Sequence, residues 1–158
     1  MNIALRKFEV QAFTALHLCR EIIIVEVTGS GNSTCFQLPA LMLKDEEFCL
    51  VIVPTVALGW DHLKACEDLG LSATYLGDES TNEEFEDFLS ESLPMKNRPR
   101  VIILTPEKLF GNRMQNAVSG QLQFIAIDEV HSVFEWNNTR NYFNSMSKLL
   151  FNRKFNST

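Results

Sequence analysis

Two short stretches hold the residues whose types and spacing could do chemistry. In Val27-Thr28-Gly29-Ser30-Gly31-Asn32-Ser33-Thr34 the glycines allow a turn in which successive backbone N–H groups, at the start of a helix, cradle phosphate oxygens. In such a loop the Ser33 hydroxyl is the expected ligand of Mg2+. The second stretch, Asp128-Glu129-Val130-His131, follows directly on the apolar run Phe124-Ile125-Ala126-Ile127. There Asp128 is suited to hold the hydrated Mg2+ and Glu129 to orient or deprotonate an attacking water, because phosphoryl transfer depends on positioning and charge neutralisation. One position breaks the pattern: Asn32 stands where a phosphate loop carries lysine. A lysine ammonium about 4 Å from a phosphate oxygen contributes roughly 4 kcal/mol at an effective dielectric near 20, and an amide cannot replace that charge.

These residues need elements that bring them to one place. Apolar residues at Leu5, Phe8, Ala12, Phe13, Ala15 and Leu16 have a helical period, which predicts a helix over Leu5 to Leu18. Four runs, Ile22 to Val25, Leu50 to Val53, Val101 to Leu104 and Phe124 to Ile127, have the composition of strands buried on both faces, and Ala73 to Leu76 that of a shorter strand. Helices are expected over Ser33 to Leu43, Ala57 to Leu69, Glu83 to Leu89 and Tyr142 to Phe151. Such alternation predicts an α/β domain with a largely parallel sheet covered by helices on both faces. A ligand would then sit where the loops after Val25, Val53, Leu104 and Ile127 face one another, at the carboxyl ends of the strands.

Composition bounds the rest. A chain of 158 residues with 46% hydrophobic and 22% charged residues suits one globular domain. The longest apolar run is far too short for a membrane span, and no apolar leader follows Met1, so an intracellular protein is expected, nuclear if eukaryotic and otherwise cytoplasmic. Four scattered cysteines without CxxC spacing read as small buried hydrophobes, and three dispersed histidines do not suggest zinc. The net charge of −6 is unevenly spread: Glu67 to Glu91 is acidic throughout, read as a solvated helix face, whereas the segment from Lys96 onward is mostly basic.

Several blocks, taken in order, resemble the RecQ-type DNA helicases of superfamily two. They are Leu5-Arg6-Lys7-Phe8-Glu9, Thr28 to Ala40 with its Cys-Phe-Gln-Leu-Pro-Ala tail, Val53-Pro54-Thr55-Val56-Ala57-Leu58, Thr105-Pro106-Glu107-Lys108-Leu109, the DEAH-like Asp128-Glu129-Val130-His131, and Phe134-Glu135-Trp136. The resemblance covers nearly the whole chain. It implies a RecA-like first motor domain with a P-loop that binds ATP with Mg2+ and one strand of single-stranded or partly duplex DNA, and that couples hydrolysis to 3′–5′ unwinding, an activity used in repair and recombination. By position it puts Arg6 and Glu9 at the adenine, Thr28, Gly29, Ser30, Gly31, Asn32, Ser33 and Thr34 at the phosphates, and Ser33 and Asp128 at the metal. Asp128, Glu129 and His131 would be catalytic, with His131 coupling that site to DNA, while Pro54, Thr55, Thr105, Pro106 and Trp136 would face DNA.

The chain also departs from that family. Besides Asn32, Glu9 stands where the family usually has a glutamine that both donates and accepts, whereas a carboxylate only accepts. The run Asn137-Asn138-Thr139-Arg140-Asn141-Tyr142 lacks the family's Gly-His-Asp-Phe-Arg order. The sequence stops at Thr158, so the domain is expected to lack its last strands and the second motor domain with its arginine finger. Two readings follow: a motor domain with impaired hydrolysis, or a non-catalytic module that binds DNA or a partner.

Overall fold

A computed structural model describes residues 5–18, 22–25, 31–77, 98–109 and 122–129. In chain order the elements are α1 (Lys7–His17), α2 (Thr34–Leu41), β1 (Phe48–Ile52), α3 (Val56–Asp68), β2 (Ala73–Leu76), β3 (Val101–Leu104), the four-residue α4 (Pro106–Leu109) and β4 (Leu122–Ile127). The four strands form one sheet in the order β2-β3-β1-β4, and every pairing is parallel. The expected α/β architecture with a parallel sheet is therefore present.

Hydrophobicity without alternation is what made these strands legible, and burial explains it. Along β1 and β3, consecutive residues point to opposite faces. Yet Cys49, Leu50, Val51, Ile52 and Val101 to Leu104 are all fully buried, so both faces of the sheet centre are covered. On one face the cover is visible: Phe36 and Ala40 of α2 and Cys66 of α3 pack on Cys49, Val51, Val101 and Ile103. Helix α1 packs in turn against α2 and buries Ala12.

The helix ends are set locally. Thr55 caps α3, its hydroxyl accepting from the Leu58 N–H at 3.3 Å. Gly70 ends the same helix with φ +69°, a left-handed conformation that costs glycine little. Inside α3, Gly59 makes room for the ring of Tyr75 on β2; a Cβ there would lie 2.3 Å from Tyr75 Cε2.

Ile22 to Val25 depart from expectation. The four residues are not in a strand, and Ile23 and Val25 are 80% and 87% exposed. A β-branched run fixes an extended, apolar segment but supplies no pairing partner, and β4 pairs with β1 alone among the described residues. The helices expected over Glu83 to Leu89 and Tyr142 to Phe151 lie outside the described residues.

Candidate functional site

The carboxyl ends of β1 and β4 lie side by side, and the ladder between them runs one residue past the strand: the Asp128 N–H donates to the Ile52 carbonyl at 2.9 Å. This bond fixes the backbone of the acidic pair beside the loop that leads into α3. The turn that follows is tight. Glu129 has φ +49°, a left-handed conformation that costs a non-glycine residue about 1 kcal/mol or more, and its N–H donates to Asp128 Oδ1 at 2.9 Å.

Ser33 reaches this place from the other side of the chain. It is the residue before α2, its hydroxyl makes no capping bond to that helix, and Gly31 ahead of it turns with φ +88°. The turn is closed by its own backbone: Thr34 N–H donates to the Gly31 carbonyl and Cys35 N–H to the Asn32 carbonyl, each at 3.0 Å. Asn32 is half-buried within it.

A residue that the sequence reading passed over joins the two. His62, on the second turn of α3 and only 7% exposed, places Nε2 2.6 Å from Asp128 Oδ2 and Nδ1 3.5 Å from Ser33 Oγ, the second a long contact. An ionised carboxylate can only accept, so Nε2 donates. The ring is held edge-on against Phe36 of α2, with centroids 5.3 Å apart. The His62 hydrogen bond is the main influence that holds the Asp128 carboxyl below its ordinary range, against the opposing pull of partial burial.

Glu9 lies close to the same turn. It is buried, accepts from the Arg6 N–H at 2.6 Å as a helix cap, and its other oxygen would be 3.4 Å from a Cβ at Gly31. A second carboxylate therefore borders the phosphate-type loop, while the side chain of Arg6 is exposed.

The residues expected at DNA are divided. Thr55 is exposed and Pro54 half-buried in the segment after β1, whereas Thr105 and Pro106 are buried after β3. Thr28, Gly29, Ser30, His131 and Trp136 lie outside the described residues.

An all-oxygen set, Ser33 Oγ with the Asp128 carboxylate, has the chemistry Mg2+ requires. As folded, however, both Asp128 oxygens are engaged, Oδ2 by His62 and Oδ1 by the Glu129 N–H, and the imidazole stands between the two oxygen donors. In this arrangement the residues do not fit a cation held between Ser33 and Asp128. Among the described residues no group of three or more His, Cys, Asp or Glu could hold a metal, and no helix is long and apolar enough to cross a membrane.

A parallel α/β sheet with a glycine turn and an acidic strand end meeting at the carboxyl edge is the motor-domain arrangement of nucleotide-driven helicases. The chain belongs to the DEAD/DEAH box helicase family, whose model matches residues 6–157. Within that family it is RecQ-like. It is 34% identical over 137 residues to ATP-dependent DNA helicase Q1 of Rattus norvegicus, covering 83% of this chain and 22% of the relative. It is 32% identical over 110 residues to ATP-dependent DNA helicase RecQ of Bacillus subtilis (strain 168), covering 69% and 18%. The chain thus spans about a fifth of the length of the curated relatives it matches. In fold it is similar to the DUF1998 helicase MrfA bound to DNA and AMPPNP, with a TM-score of 0.69 at 19% identity over 81% of this chain and 19% of that one.

Proposed function

We propose that this chain is the nucleotide- and DNA-binding part of a RecQ-like 3′–5′ DNA helicase in which ATP turnover is impaired. The observation that carries this reading is the convergence of Ser33 and Asp128, 95 residues apart in sequence (128 − 33), on one buried imidazole at the carboxyl edge of a parallel sheet. That edge is where ligands of open α/β folds bind.

Arg6 and Glu9 flank the position of the base, and residues 28–34 surround the phosphates. Gly31 permits the close approach of backbone to phosphate that a side chain would obstruct. In this reading Glu129 orients the attacking water, and Thr55 with Pro54 borders the path of a DNA strand. Asn32 withdraws the cation that would stabilise charge developing on the transferred phosphoryl group, so hydrolysis falls further than binding. Glu9 adds a negative charge beside the same turn.

Asn32→Lys tests this directly. Calorimetry with ATP is expected to give at least about tenfold tighter binding, or about 1.4 kcal/mol, a fraction of the gross Coulomb term. An unchanged affinity means that the loop does not hold phosphate.

The second reading, a non-catalytic module, is favoured by the engagement of both Asp128 oxygens within the protein. Filter binding of single-stranded DNA with and without ATP separates the two. The motor reading requires that ATP change DNA affinity, and the module requires that it not.

A further inference from the structure

His62 is absent from the chemistry assigned above, yet it is the side chain that touches both ends of the candidate site. Its position has three constraints. It is buried on the face of α3 that also carries Gly59 and Cys66, spaced three and four residues away, so the helix aims it inward. Phe36 of α2 holds the ring edge-on, which fixes its plane. Within that plane the two ring nitrogens face Asp128 Oδ2 at 2.6 Å and Ser33 Oγ at 3.5 Å. A divalent cation at a phosphate loop links a hydroxyl of the loop to a carboxylate on a separate strand, directly or through its water. Here the imidazole makes that link.

We infer that His62 is the residue that sets cation affinity at this site: it bridges Asp128 and Ser33 in place of a divalent cation, so that a cation enters only by displacing the ring. The inference rests on the reading of this edge as a nucleotide site, and it concerns a positioning residue, not one that meets substrate. The Asp128 carboxylate already has a donor on each oxygen, His62 on Oδ2 and the Glu129 N–H on Oδ1. A cation that takes the place between Asp128 and Ser33 displaces the ring from the shorter of its two contacts, a hydrogen bond to a charged group.

The test is a calorimetric titration of the whole chain with Mn2+ alone, comparing wild type with His62→Ala. Displacement predicts about tenfold or more tighter Mn2+ binding by the variant, the scale of one hydrogen bond to a charged group, and predicts that Asp128→Asn in the same background removes the gain. If His62→Ala does not fold, His62→Leu carries the measurement, because leucine fills the buried face of α3 without donating to Asp128. Affinity that is unchanged or weaker in a folded variant overturns the inference, since His62 would then be neutral or a supporter of the cation. A second titration uses a fluorescent ATP analogue with Mg2+ or with chelator. Wild type is expected to show little difference and the variant about a tenfold one. If neither protein binds the analogue while Mn2+ still binds the variant more tightly, the nucleotide reading falls and the role of His62 stands. If the analogue binds both equally and Mn2+ affinity does not change, the nucleotide reading stands and the role of His62 falls.

Discussion

Asp128 is the residue on which most of the site's electrostatics turns. Its carboxyl is held below the ordinary value of 3.8, mainly by His62, so its charge is stabilised more in the folded chain than in the unfolded one. A lowered folded value means that the contribution is fully present above the ordinary carboxylate range and is lost as pH falls through the folded value. Thermal midpoints of wild type and Asp128→Asn, measured from pH 7 downward, should therefore differ most at neutral pH and converge below pH 3.8. A gap that stays constant to low pH would show that the pair with His62 adds no stability. Glu129 makes the complementary prediction. Its φ of +49° suits asparagine better than glutamate, so Glu129→Asn should raise the unfolding free energy by about 0.5 to 1 kcal/mol in urea titrations while removing the carboxylate. A gain in stability would show that the folded chain holds the backbone strain at Glu129.

At this scale the sequence was half legible. Ser33 and Asp128 stood in patterns with a mechanism, a glycine turn before a helix and an acid pair after a buried strand. His62 stood in none, because its two partners are 29 and 66 residues away. The signal that could have found it is helical spacing: Gly59, His62 and Cys66 form the inward stripe of α3, and a polar ring in an otherwise small and apolar stripe calls for a partner.

Among the elements, α3 and β2 are joined by an unusual fit. Tyr75 lies against Gly59 on one side and Gly77 on another, where a Cβ would come within 2.6 Å of its hydroxyl oxygen, and Trp60 meets it edge-on with centroids 5.2 Å apart. Gly59 is a poor helix former, so its presence mid-helix is explained by the ring and not by the backbone. Gly59→Ala gains helix propensity but forces a Cβ to 2.3 Å from Tyr75, and overpacking of that kind costs about 1 to 3 kcal/mol. Denaturant unfolding should show a net loss in Gly59→Ala and a smaller one when Tyr75→Ala is added to it, relative to Tyr75→Ala alone. Losses that simply add would mean that Tyr75 and Gly59 do not meet. Strand identity was easy to read here because continuous apolar runs have few uses in a chain of this composition. Strand pairing was not, and Ile22 to Val25 illustrate the gap: composition says that a segment is apolar and extended, while only the sheet says whether it has a neighbour.

Among the described residues the parallel sheet is closed to water at its centre, with Asp128 just past the carboxyl end of β4. The same architecture places three thiols at graded depth, and this has a practical consequence. Cys35 sits on α2, Cys66 on α3 and Cys49 in the middle of β1, and all three are buried. Burial pushes the Cys66 thiol up to about 11 and that of Cys49 further still, so neither supplies the thiolate that an alkylating reagent needs. In a Cys19→Ser background these sulfurs form a clock for native-state opening, read by mass spectrometry after iodoacetamide pulses. Cys49 should react only at the rate of global unfolding, and Gly59→Ala should hasten Cys66 before it hastens Cys49. Alkylation of Cys49 at the speed of a free thiol would place β1 outside the core. Run with and without a nucleotide, the same clock reports whether a ligand at the polar edge tightens the hydrophobic centre, with no need for turnover to be measurable.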